Sequence, residues 1–258
     1  MNSSNPSQRA PTAAQQAFPW IGETSALVYA GMAWSMAGVL VADLFTPLGF
    51  AVWVVYFIPV VLAVWSWRPE LPLGVALLSS ALMAIGYATD EPGMDRSVVL
   101  VNRSLGIFTN FVVAIVGFYF IRSKIAVRRQ DWLQTGQMGL SEAMGGEKSL
   151  EEVGDSVLKF LAEYMHAQAG VFFVREASVL RRVAAYGVPA GDGVPLRVES
   201  GDGLLWRAVQ DRRTISLTDV PVGYLRWSAG LAGGEPRHLL IVPVRVDRAV
   251  HGVLEFGF

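Results

Sequence analysis

The sequence of 258 residues contains no cysteine and only three histidines. Without cysteine there can be no disulfide, no thiolate metal site and no cysteine nucleophile. His166, His238 and His251 are dispersed and read as structural or surface residues, so a metal centre is not expected. No Gly-x-x-x-x-Gly-Lys phosphate loop and no Gly-x-Ser-x-Gly elbow occurs. The chain therefore carries no catalytic motif, whether it serves an enzyme stays open, and no cofactor is expected. Formal net charge is −1, which gives no reason to expect a nucleic-acid partner.

Charge is also missing locally. Of the 43 charged residues, only ten lie before Arg122, whereas 52% of the chain is apolar. A soluble domain has about a quarter charged residues. The split predicts two parts in different solvents: an integral membrane part and a globular part. Residues 1–20, rich in Ser, Pro, Ala and Gln, read as a disordered tail.

Crossing a bilayer takes about 20 mostly apolar residues. Four segments qualify: about Ser25 to Val41, Gly49 to Trp67, Leu73 to Ala88, and Ser97 to Ile121. Backbone groups in lipid must pair internally, so all four are read as helices. Pro59 is expected to kink the second. Pro and Gly in Asp43–Gly49, and prolines in Arg68–Pro72 and Asp90–Arg96, mark the connections. The basic cluster Arg122, Lys124, Arg128 and Arg129 follows the fourth segment and places both termini in the cytoplasm of a multi-pass inner-membrane protein. That cluster either binds anionic lipid or only fixes topology.

Asn102 and Arg103, about two turns inside the outer end of the fourth segment, are read as its intramembrane polar pair, and Arg103 is the one charge within it. A charge there is costly, which makes a functional role the default hypothesis. With Asp43 at the outer end of the first segment, an Asp43–Arg103 pair is geometrically possible; the simpler alternative is that Arg103 snorkels to the outer interface.

Residues 122–148 read as a helical linker. Leu133, Gln137, Leu140 and Met144 carry a short coiled-coil-like seam, interrupted by Gly136 and Gly139. A plain juxtamembrane helix ending at Gly145-Gly146 fits equally. Ser149-Leu-Glu-Glu152 is a capping box. The helix it opens, to about His166, is followed by strands near 169–174, 179–186 and 196–198, a short helix over 204–210, and strands near 214–217, 239–246 and 252–258. This order predicts an α+β domain with a mainly antiparallel sheet.

Leu180–Gly187, Gly201–Val209, Ile215–Pro221, Leu240–Val244 and His251–Phe256, in that order and spacing, resemble the GAF domain over residues 149–258. The apolar part, with Asp43-x-x-Thr-Pro-Leu-Gly49 and Asn102-Arg-Ser-Leu105, resembles a four-span module that precedes such domains in sensor histidine kinases. The resemblance implies an all-α four-helix transmembrane module (21–121) followed by a soluble GAF-like domain. It implies the input half of a bacterial membrane-bound sensor histidine kinase of a two-component system. In that family a long helix follows the last strand; here the chain stops at Phe258, so this helix is expected to be missing. The input half of a diguanylate cyclase, or a small transporter with a regulatory domain, are the alternatives. The expected partners are the lipid bilayer, a second copy of the chain and an unidentified small molecule. By the same resemblance a ligand pocket is expected between the sheet and the loops 187–203 and 219–236. Tyr186, Trp206, Tyr224 and Trp227 are its candidate lining residues.

Overall fold

The computed structural model describes residues 23–45, 52–89, 96–188, 194–201, 203–218, 220, 227–229 and 232–258. The expected N-terminal tail lies outside them. The chain divides into two compact units, Met1–Trp132 and Leu133–Phe258.

The N-terminal unit is helical. It contains α1 (Ala26–Phe45), a 3₁₀ turn at Val52–Tyr56 leading into α2 (Phe57–Ala63), α3 (Leu71–Thr89) and most of α4 (Arg96–Met144). Among the described residues two helices are long and apolar enough to cross a membrane, at Ala26–Asp43 and Ser97–Met144; the apolar stretches Val54–Ala63 and Leu71–Gly86 are shorter. The expectation of four full-length spans is therefore met by two. The second segment falls short where 3₁₀ winding gives way to α-helix. Pro59 has no N–H for the Val55 carbonyl four residues earlier, so a regular helix cannot run through this point.

Two buried clusters hold these helices together. Val39, Tyr56 and Met83 pack with Leu82 and Ile107, and Val60, Ala76 and Ala114 pack with Leu73, Val75 and Val113. Two turns of helix separate Met83 from Ala76 and Ile107 from Ala114, so the clusters are successive layers of one core. The outer faces are apolar as well: Leu27, Trp34, Phe45, Leu77, Val101, Phe108 and Val116 are all exposed.

The expected linker forms the end of α4, which runs unbroken to Met144 before a turn at Gly145-Gly146. Gly136 and Gly139, read from sequence as interruptions of a seam, face aromatic rings. A Cβ on Gly136 would lie 3.0 Å from Tyr164 Cε1, and one on Gly139 would overlap the Phe160 ring. Phe160 and Tyr164 stack at 5.4 Å along α5 (Leu150–Met165). The glycines thus admit two rings that a larger residue would exclude.

The capping box at the start of α5 forms as the sequence predicts. Glu152 N–H donates to Ser149 Oγ at 3.2 Å, and Ser149 N–H donates to Glu152 Oε2 at 2.8 Å. These bonds hold the Glu152 carboxyl below its ordinary value. At the other end His166 is the left-handed C-cap, φ 59°.

Among the described residues eight strands follow: β1 (Ala169–Glu176), β2 (Val179–Tyr186), β3 (Arg197–Glu199), β4 (Ile215–Thr218), β5 (Trp227–Ala229), β6 (Ala232–Gly234), β7 (His238–Val246) and β8 (Ala249–Gly257). The short helix α6 (Gly203–Asp211) precedes β4. Six strands form one antiparallel sheet in the order β3-β2-β1-β8-β7-β4, and β5 and β6 pair separately as a ribbon within the expected long loop. Side-chain alternation in the strands gives the sheet two buried faces. On one, Leu158 and Ala162 of α5 meet Ala184, Leu254 and Phe256. On the other, Leu205, Trp206 and Val209 of α6 meet Val171, Phe173, Ile241 and Val253. The domain is α+β, with one helix on each face of the sheet.

Candidate functional sites

The first site lies in the helical unit. Its residues are Asp43 near the end of α1, Arg103 two turns into α4, and Met83 and Gly86 on the last turns of α3. Arg103 Nη1 donates to Asp43 Oδ2 at 3.2 Å and to the Met83 carbonyl at 2.8 Å, while Nη2 donates to Asp43 Oδ1 at 3.3 Å. The carboxylate meets the guanidinium fork with both oxygens, the geometry in which an Arg–carboxylate pair is strongest. The side chains are only 13% (Arg103) and 8% (Asp43) exposed. Of the two arrangements open from sequence, the structure has the pair.

Gly86 completes this site and was not singled out by sequence. A Cβ there would fall 2.6 Å from Asp43 Oδ2 and 3.0 Å from Arg103 Nη1. Only a glycine lets the pair approach α3 this closely. The fully buried Tyr56 packs beside it, in the layer with Val39 and Met83. Asn102 is half-buried on the same turn of α4 as Arg103.

At the opposite end of the bundle, Trp67 N–H donates to Thr24 Oγ1 at 3.0 Å. Lys124 Nζ stands 3.9 Å from the centre of the Trp67 ring, and Arg128 stands 4.9 Å from it. Two of the four cations that follow the fourth apolar segment thus lie over one aromatic ring, whose quadrupole attracts positive charge.

The second site is the α6 face of the sheet. The four candidate lining residues do not converge there. Trp206 does face it, 3% exposed, with Nε1–H donating to the Val198 carbonyl at 3.2 Å. Tyr186 packs on the opposite face, in the cluster with Leu158 and Phe256. Trp227 opens the β5–β6 ribbon, and Tyr224 lies outside the described residues.

Sequence reasoning passed over Glu255 on this face. It is paired in register with Val171 on one side and Ile241 on the other, and is 5% exposed. Next to it along the same face, Ala169 and Leu239 are covered by Val188, Val194, Leu217 and Val220. Three of these four valines and leucines come from the two loops expected to close a pocket. One clue was in the sequence: Glu255 is the lone charge in the otherwise apolar segment Gly252–Phe258. Gly187, at φ 66°, starts the first of these loops, and a Cβ there would collide with the Gln168 carbonyl.

A six-stranded antiparallel sheet between two helices, with a loop-covered face bearing a buried carboxylate, is the architecture of a small ligand-binding regulatory domain. The family model of the GAF domain matches residues 147–258, and this part of the chain is a GAF domain, a signalling and regulatory module. Among solved structures, the chain is similar to the GAF domain of a phosphoenolpyruvate-protein phosphotransferase from Coxiella burnetii. Identity is 20% and the TM-score 0.41, over 50% of this chain and 77% of that one. The A. aeolicus nlh2 GAF domain in an inactive state is similar at 17% identity and TM-score 0.39, over 50% of this chain and 82% of that one. Free methionine-R-sulfoxide reductase from Neisseria meningitidis, in complex with its substrate, is similar at 17% identity and TM-score 0.38, over 49% of this chain and 72% of that one. No curated protein matches the chain.

Proposed function

We propose that the chain is a membrane-anchored sensory input module. Its four apolar segments sit in the inner membrane, and its GAF domain works in the cytoplasm as the receiving end of a histidine-kinase type two-component pathway. The observation that carries this reading is the outward apolar surface of the helical unit. Leu27, Trp34 and Phe45 are each at least 80% exposed, and only 11% of the Ala26–Asp43 stretch is buried. In water such a surface would drive association; in lipid it is the expected exterior. The paired Asp43 and Arg103 fit the same reading, because a charge at depth needs a partner. In an inner-membrane orientation the cations stacked on Trp67 mark the cytoplasmic end.

Within this reading the module acts as a homodimer. Leu133, Gln137 and Met144 of the linker seam are exposed, a stripe that a second copy would cover. The GAF domain takes an unidentified small molecule on its α6 face, with Trp206 and Glu255 as the residues placed to sense it. The chain itself transfers no phosphate. His166 is a helix cap, His238 pairs in register with Thr218, and His251 is an exposed strand residue. None lies on a helix beside an acid, as a phosphoacceptor needs.

Membrane extraction tests the proposal. After alkaline carbonate washing, the expressed chain stays with the membrane pellet and is released only by detergent. Full recovery in the aqueous wash would overturn it.

A further inference from the structure

Between the two apolar layers of the helical core lies a polar one. On α3, Ser79 and Ser80 fall between Ala76 of one layer and Met83 of the other; on α4, Asn110 falls between Ala114 and Ile107. Ser79 and Asn110 are essentially inaccessible, at 0% and 1%, and Ser80 is 8% exposed. On α1 Ser35, four residues before Val39, takes the corresponding level, and its hydroxyl donates to the Met32 carbonyl at 3.0 Å.

Ser79 Oγ, Ser80 Oγ and Asn110 Nδ2 have no hydrogen-bond partner among the described residues. A buried polar atom left unpaired costs about 1–3 kcal/mol. All three fall at one level between two layers that α3 and α4 both enter, where a single shared partner would satisfy them. No bulk water reaches it, and the charged pair Asp43–Arg103 is more than a turn away along each helix. The layer holds no ionised group, so a charged guest would be desolvated without compensation. What the layer offers is amide and hydroxyl donors plus hydroxyl acceptors, confined between packed apolar layers.

We infer that this layer is an internal binding site for a small neutral hydroxylic guest, and that the resident guest is water. One such molecule can accept from the Asn110 amide and exchange hydrogen bonds with the two serine hydroxyls, within the two to four bonds usual for buried water. The inference goes beyond the proposed function and rests on burial in the helical unit, not on the identity of any signal.

Water-edited solid-state NMR on the uniformly ¹⁵N-labelled chain, reconstituted in phosphatidylcholine bilayers, tests it. The Asn110 side-chain amide, assigned by its loss in Asn110→Leu, receives magnetisation from water at mixing times that saturate the exposed Gln134 and Gln137 amides. In Ser79→Ala/Ser80→Ala the amide signal persists and the transfer is lost. An Asn110 amide that stays dark in the unmodified chain would overturn the inference, as would transfer unchanged in the double variant. Flotation of the same samples with liposomes reports membrane insertion separately, so failure of the membrane reading is distinguishable from failure of this one.

Discussion

Arg103 clasps Asp43 across 60 residues of sequence with two of its nitrogens, and one of these also holds the Met83 carbonyl. A single guanidinium therefore ties α1, α3 and α4 together near one end of the bundle. Removing one partner of a buried pair strands the other charge and costs about 3–5 kcal/mol. Asp43→Ala is expected to lower the thermal midpoint of the detergent-solubilised protein strongly. Adding Arg103→Leu to it should recover part of the loss, because no charge is then stranded. An Asp43→Ala midpoint equal to the parent would show that the pair does not hold the bundle.

Gly86 gives the same site a second, independent handle. Its added Cβ would lie inside contact distance of Asp43 and Arg103, and overpacking costs about 1–3 kcal/mol. Gly86→Ala should destabilise the parent by this amount but have little effect in the Asp43→Ala background. The non-additivity is the diagnostic, since residues that share a contact do not sum. A cost equal in both backgrounds would place the strain elsewhere.

The close packing of α4 on α5 predicts a paired rescue. Gly139→Ala collides with the Phe160 ring, so it should loosen the helix pair and speed proteolytic nicking at Gly145-Gly146. Phe160→Ala added to it removes the obstacle and should restore much of the protection. If Gly139→Ala digests at the parent rate, the ring does not occupy the space assigned to it.

The capping box sets a pH dependence. The Glu152 carboxyl is held low chiefly by the Ser149 backbone N–H, and then by the Ser149 side chain. A carboxyl depressed on folding stabilises the folded state above its unfolded value and loses that contribution as pH falls through the lower, folded value. Acid titration below about pH 4.5 should therefore fray α5, and Glu152→Gln should remove this part of the pH slope. Ser149→Ala should cost roughly 1 kcal/mol at neutral pH. Circular dichroism of residues 133–258 across the acid range reads the first effect, and urea unfolding reads the second.

The elements of the GAF domain were legible because local signals agreed. The capping box, the period-two strands and the glycine turns fall within one or two residues of the observed boundaries, except at β8, which starts at Ala249, three residues before the expected Gly252. The β5–β6 ribbon was not legible: Trp227–Ala229 and Ala232–Gly234 are too short and glycine-rich for periodicity to register. Pairing was harder than placement. Nothing in single-strand patterning says that β8 lies between β1 and β7, and hence that Glu255 sits mid-sheet. Tyr186 and Trp206 are both aromatic and close to the loops, yet the bulge between β1 and β2 at Phe172/Phe173 shifts the alternation of β2, so that Leu180 faces α6 whereas Ala184 and Tyr186 face α5. In the helical unit, Asp43 and Arg103 were visible as isolated charges in an apolar context. Gly86, Ser79 and Ser80 were not, since small residues in apolar helices are common and only the packing gives them a role.

The absence of cysteine makes the central claim directly measurable, because a single introduced thiol is the only one in the chain. Asp90→Cys lies between the third and fourth apolar segments, and Ser200→Cys lies on the surface of the GAF domain. Both are to be expressed in cells and treated with a membrane-impermeant maleimide. The four-segment, cytoplasmic-GAF account predicts that Asp90→Cys reacts once the inner membrane's outer face is accessible, while Ser200→Cys reacts only after that membrane is opened. Equal reaction of both positions before opening, or recovery of the labelled chain in the soluble fraction, would contradict it.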